Sequence, residues 1–172
     1  MAMAKKEFIQ SLNPEDAFKV LLVVLNQNPD LEDTVYQIAK QVLCNITSDD
    51  VMNDVYNVLD RLDVEELYRR SGKTRYGYVE PYDEAWVMFE DALAPYIDEM
   101  KKYQKLDMLI VAKNYCIGII SGIKKFEKDS FSEFTEWIVD APGEKIETVF
   151  EEWKKGNVSE KDVAEVLKTI KF

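Results

Sequence analysis

Between Met108 and Ile123 the chain reads MLIVAKNYCIGIISGI, and no other stretch limits the fold as much. With Lys113 and Asn114 inside it, its apolar length falls short of the roughly 20 residues that span a bilayer, so a fold must bury it as a central helix. Gly118 and Gly122 lie one turn apart, as do Ala112 and Cys116. Small residues at that spacing let a neighbouring helix approach closely. Packing is therefore the role expected of them.

The sequence around this stretch supplies the partners in helical form. Asn13-Pro14-Glu15-Asp16 is a helix start: a capping side chain, a proline whose missing N–H costs nothing there, then acids facing the positive end of the dipole. The apolar run from Ala17 to Leu25 continues that helix, and Asn28-Pro29 stops it. The next two segments resemble each other at an offset of 20 residues: Asp30, Leu31, Val35, Tyr36, Ile38 and Val42 align with Asp50, Val51, Val55, Tyr56, Val58 and Leu62. Each set marks one helical face, and two packed, similarly built helices are expected. Two copies are too few for a solenoid. From Asp83 to Gln104, Trp86, Phe89, Leu93, Tyr96 and Met100 recur at spacings of three and four, which predicts a long helix kinked or broken near Ala94 by Pro95. Three shorter helices should follow, marked by Phe131, Phe134, Trp137 and Ile138, by Ile146, Val149, Phe150 and Trp153, and by Val163, Val166, Leu167 and Ile170. Pro142-Gly143 opens the second and Lys154-Lys155-Gly156 closes it, while Ser159 with Asp162 resembles a capping box. The fold class is all-α, a compact array of about seven to eight helices with one short β-hairpin or ordered loop near residues 66–80. No Ser/Gly/Pro-rich linker interrupts the chain, so residues 1–172 are read as a single helical domain with a soft boundary near 129, between a core (1–129) and a C-terminal segment (130–172).

The composition removes most chemistry. There is no histidine, hence no Ser-His-Asp or Cys-His pair, no His general base, no His-ligated zinc and no Glu-x-x-His di-iron bundle. Cys44 and Cys116 are far apart, with no CxxC, and read as reduced, buried thiols of a cytosolic protein. The acids cluster as Asp49, Asp50 and Asp54, as Asp83, Glu84, Glu90 and Asp91, and as Glu147, Glu151 and Glu152. None matches a calcium loop, and acids in first turns are what the dipole selects, so these are solvated faces. No cofactor and no metal site is expected. A net charge of -11 disfavours a nucleic-acid or anionic-membrane surface.

One segment departs from that charge. Leu67 to Tyr82 reads LYRRSGKTRYGYVEPY and crowds Arg69, Arg70, Lys73 and Arg75 beside Tyr68, Tyr76, Tyr78 and Tyr82. Ser71-Gly72-Lys73-Thr74 is the tail of a P-loop pattern, but its first glycine falls on Leu67 and no buried strand precedes it. Two local structures fit. In one, Asp63 caps a short helix with Glu66 completing the box, Gly72 ends it in the left-handed conformation, and Lys73 to Pro81 forms a loop. In the other, Glu66–Arg70 and Thr74–Val79 pair as a basic hairpin around Ser71-Gly72-Lys73. That order resembles the topology of a winged-helix module with Ser48 to Leu62 as recognition helix, without any family motif. Asp49, Asp50, Asp54 and Asp60 in that helix would repel phosphates. Tyr and Arg suit the centres of protein interfaces. The expectation is therefore a non-enzymatic cytosolic domain that binds another protein or itself through Tyr68, Arg69, Arg70, Lys73, Arg75, Tyr76 and Tyr78. A winged-helix-like transcriptional regulator with a C-terminal helical dimerisation region is the alternative. No nucleic acid, membrane or small-molecule ligand is indicated for the first reading.

Overall fold

The computed structural model describes residues 5–75 and 77–171, and the chain divides into two compact units, Met1–Leu43 and Cys44–Phe172. In the first unit, α1 (Lys5–Gln10) precedes α2 (Pro14–Gln27), a 3-10 turn at Pro29–Leu31 and α3 (Glu32–Leu43). The α2 start forms as its sequence dictates, with the Asp16 amide donating to Asn13 Oδ1 at 2.8 Å. None of this unit's described residues is buried.

The second unit holds α4 (Ser48–Asp60), α5 (Val64–Arg70), the strands β1 (Gly72–Thr74) and β2 (Gly77–Val79), α6 (Pro81–Lys105), α7 (Leu109–Asp129), a 3-10 turn at Glu133–Trp137, α8 (Ala141–Lys154) and α9 (Glu160–Lys171). The described residues thus form nine α-helices and one antiparallel two-stranded hairpin. As its apolar run requires, α7 is the axis, in contact with α4, α6, α8 and α9. It buries Val111, Ala112, Cys116, Ile119, Ile120, Ile123 and Phe126. The two polar residues inside the run are both used at its edge. Asn114 Nδ2 donates to the Ile46 carbonyl at 2.8 Å, and Lys113 Nζ reaches Asp162 and Glu165 on α9 at 2.8 and 2.9 Å. Lys124 Nζ, about three turns beyond, donates to the Thr169 and Ile170 carbonyls at 2.9 and 2.6 Å, answering the open C-terminal end of α9.

Against α4 the approach is closest. A Cβ built on Gly118 would stand 2.5 Å from Val51 Cβ and 2.8 Å from the Ser48 carbonyl oxygen. One on Gly122 would stand 2.6 Å from Val55 Cγ1 and 2.9 Å from the Met52 carbonyl oxygen. The glycines therefore seat Val51 and Val55 directly on the α7 backbone. Helix α4 is held to its register by a capping box, with the Asp50 amide 3.2 Å from Thr47 Oγ1 and the Thr47 amide 3.3 Å from Asp50 Oδ2. That bonding keeps the Asp50 carboxyl below its usual range.

Several expectations change. The similar patterns of α3 and α4 meet different ends: α4 buries Val51, Val55 and Leu59, whereas Tyr36, Ile38 and Val42 of α3 are exposed. Pro95 does not divide α6, which runs from Pro81 to Lys105. Pro95 and Asp91 both lie on the exposed side, so water can take the carbonyl the proline leaves open, while Leu93, Ile97 and Met100 hold the other face in the core. The segment marked by Phe131, Phe134, Trp137 and Ile138 is a 3-10 turn, not an α-helix. Phe134 and Ile138 are buried, but Phe131 is fully exposed. At residues 66–80 parts of both local readings hold: Asp63 caps α5, accepting from the Glu65 amide at 3.1 Å, and a hairpin follows with Lys73 opposite Tyr78. The strands are shorter than the basic-hairpin reading supposed, because residues 64–70 are spent on the helix.

Substituting Gly118→Ala or Gly122→Ala should each lower unfolding free energy by about 1–3 kcal/mol. Companion Val51→Ala or Val55→Ala changes should not restore it, since the crowding atoms include Cβ atoms and backbone oxygens. Gly143→Ala, with open space around the added methyl, should be neutral or stabilising. Urea denaturation of the three single variants separates these outcomes.

Candidate functional site

The basic tyrosine segment is built outward from one buried residue. Leu67 anchors α5 in the core, and helical geometry then sends its neighbours Tyr68, Arg69 and Arg70 to the surface. The two arginines have different fates. Arg69 pairs with Glu66 one turn back on the same helix and stays exposed. Arg70 crosses to α6, where its Nε lies 2.6 Å from Glu84 Oε1 and a terminal nitrogen 3.8 Å from Asp91 Oδ2. Glu84 is only 14% exposed, so this contact is a structural tie between α5 and α6.

Gly72 follows with φ +87°, a left-handed value that an L side chain rarely takes, and starts the hairpin. Its register sets Lys73 against Tyr78, both exposed. Arg75 is exposed at the turn. Tyr76 lies outside the described residues.

Tyr68, at 57% exposure, leads away from the hairpin to a set of rings, of which Trp86 and Trp137 mark apolar helical positions in the sequence. Its ring meets Trp137 edge-on, centroids 5.6 Å apart at 85°, and Tyr82 tilts against the same indole at 5.0 Å and 48°. These are favourable aromatic geometries. Tyr82 and Trp86 from α6, Trp137 from the 3-10 turn and Val139 together line a cleft of about 280 Å³ whose polar groups are Asp83 and Asp140. Asp140 occupies the N-cap of α8 without making a side-chain cap bond. A second cleft, about 180 Å³, lies across Ile138 and Val139 and is lined by Phe126, Glu127, Thr135 and Pro142. Trp86 and Trp137 had been legible only as apolar positions, and Tyr82 only as part of a tyrosine-rich run. The signal in the sequence was that run's continuation past Pro81 into the first turn of α6.

Burial pushes the Cys116 thiol up and the Tyr115 hydroxyl up to about 12. Cys44 is exposed, not buried as expected, because it falls after the end of α3. Among the described residues no group of three His, Cys, Asp or Glu side chains is placed to hold a metal ion, and no helix is long and apolar enough to cross a membrane. No protein-family model, curated protein or solved structure matches this chain.

Arg70→Met should lower stability by about 1–2 kcal/mol, because Glu84 would keep its charge at a largely covered position without its partner. Arg69→Met, which removes an exposed pair within one helix, should leave stability unchanged. Guanidinium denaturation of both variants at one pH tests the distinction, and equal effects would remove the structural role given to Arg70.

Proposed function

We propose that the chain is a non-enzymatic protein-recognition module of the cytosol, whose contact surface joins the hairpin segment to the aromatic patch beside it. The observation that carries this reading is the run of exposed aromatic side chains Tyr78, Tyr68 and Tyr82, the last two against the Trp137 ring. Rings of this kind give large contact area with few rotatable bonds, and their polar tips remain available for directional bonds. Lys73 adds positive charge at the hairpin side, Arg69 is exposed but paired with Glu66, and Arg70 belongs to the scaffold. Two free thiols fit a reducing compartment. The alternative of a DNA-binding regulator is weakened by Asp49, Asp50, Asp54 and Asp60 on α4, which oppose phosphate.

A distinct observation favours self-assembly as a second reading. Among the described residues, α2 leaves Phe18, Val20, Leu21, Leu22 and Val23 exposed, and successive positions 20–23 cover nearly the whole circumference of a helix. Apolar side chains all round a helix call for more than one neighbour. Copies of the same chain can supply them symmetrically.

A protein that co-purifies with the full chain from its own cells should be lost by about tenfold or more in yield with Tyr68→Ser/Tyr82→Ser, while circular dichroism stays unchanged. Undiminished recovery would rule out the patch as its contact. For self-assembly, sedimentation equilibrium should give a concentration-dependent mass above that of one chain, reduced to the monomer by Leu21→Glu/Val23→Glu. A wild-type monomer across the accessible concentration range would end the second reading.

A further inference from the structure

We propose that the cleft of Tyr82, Trp86 and Trp137 receives a cationic side chain, lysine or arginine, from a basic segment of a partner protein. This rests on the reading of the patch as a protein-recognition surface and adds the chemistry of what it recognises. Aromatic rings attract a cation through their negative faces, and the attraction grows where the site also carries anions and sheds water. Here the rings line a concavity whose polar groups are the carboxylates of Asp83 and Asp140, with no lysine or arginine in the lining.

The state of those carboxylates sets them apart from the other acids of α6. Glu84 and Asp91 are answered by Arg70, and Glu90 is answered by Lys145 Nζ at 2.6 Å. The side-chain carboxylates of Asp83 and Asp140 have neither an ion pair nor a hydrogen-bond partner among the described residues. Both stand at helix starts, where an acid complements the dipole. A helix end carries about half a charge, however, so a full carboxylate at each leaves the cleft net negative. Asp140 does not spend its oxygens on capping α8. Dipole complementarity accounts for acids at these positions but not for the aromatic walls between them.

A peptide fits better than a free ammonium compound. Tyr82 is 63% exposed and Val139 73% exposed, so the cleft is open and would enclose a small molecule poorly. A side chain tethered to a backbone lying over Val139 also gains contact outside the cleft. Across Ile138 and Val139, the second cleft presents another carboxyl, that of Glu127, raised above its usual range by desolvation and pulled the other way by Lys124. Lys124 is itself committed to the Thr169 and Ile170 carbonyls. A segment lying over the Ile138–Val139 ridge would therefore reach both clefts. The net charge of -11 would draw such a segment in from solution.

The test is a titration of the full-length protein with acetyl-Lys-Ala-Lys-Ala-Lys-amide, followed through the indole N–H resonances of its tryptophans. Trp86 and Trp137 should shift saturably, and Trp153, which is buried, should serve as the unmoved internal control. Asp83→Asn/Asp140→Asn and, separately, Trp137→Leu should each weaken binding by about tenfold. The charge variant alters only exposed carboxylates, so it remains informative if Trp137→Leu does not fold. Equal binding by the norleucine analogue of the peptide would overturn the cation while leaving the protein-recognition surface standing. Choline binding as tightly as the peptide would overturn the peptide source, and the absence of any saturable shift up to about 10 mM would overturn the site itself.

Discussion

The contact on which the second unit depends is the one between α4 and α7 at Gly118 and Gly122. Val51 and Val55 rest where side chains on α7 would otherwise stand, so the two backbones are closer than any larger residue would allow. Protein interiors are close-packed, and a position occupied this fully has no slack to absorb a methyl group. The consequence reaches beyond the pair. With α4 fixed on one side of α7, Asp60 at its end accepts from Ser130 Oγ at 2.6 Å, and Ser132 Oγ caps the 3-10 turn through the Phe134 amide at 3.3 Å. That turn carries Trp137. The aromatic patch is thus positioned by a helix contact whose critical residues have no side chain at all.

Charge is distributed with a similar economy. Most described lysines that reach the structured interior act as ties: Lys113 joins α7 to α9, Lys145 joins α8 to α6, and Lys124 closes the end of α9. Arg70 does the same between α5 and α6. Such pairs, partly withdrawn from solvent, are worth more than exposed ones but chiefly fix orientation. The acids in excess of these cations remain on the surface. Among them, Asp83 and Asp140 differ because they share the lining of one cleft with Tyr82, Trp86 and Trp137.

What the sequence disclosed was local. The cap at Asn13, the cap at Asp63, the Ser159–Asp162 start of α9 and the burial of α7 all follow from residues within one or two turns of each other. Periodicity reports that a helix has an apolar face, not what meets it. The α3 and α4 patterns therefore looked equivalent, yet only α4 has its face buried. Pro95 was read by its local cost, and the compensation lay in the exposure of Asp91 and the packing of the opposite face. Arg70 was grouped with its neighbours in sequence because Glu84 and Asp91 reach it only through the fold.

The same limit explains why the aromatic cleft was not legible. A tryptophan three or four residues from other apolar positions satisfies a helical template, and at Trp86 that template was right about the helix while silent about its neighbours. At Trp137 the template failed, because residues 133–137 wind as a 3-10 turn with its shorter repeat. Phe134 and Ile138 turn inward together, and Trp137, between them, is left at the surface where Tyr68 and Tyr82 converge on it from two other elements. The tight turn between α7 and α8 brings Trp137 and Val139 against Tyr82 and Trp86 of α6, and the cleft opens where they meet.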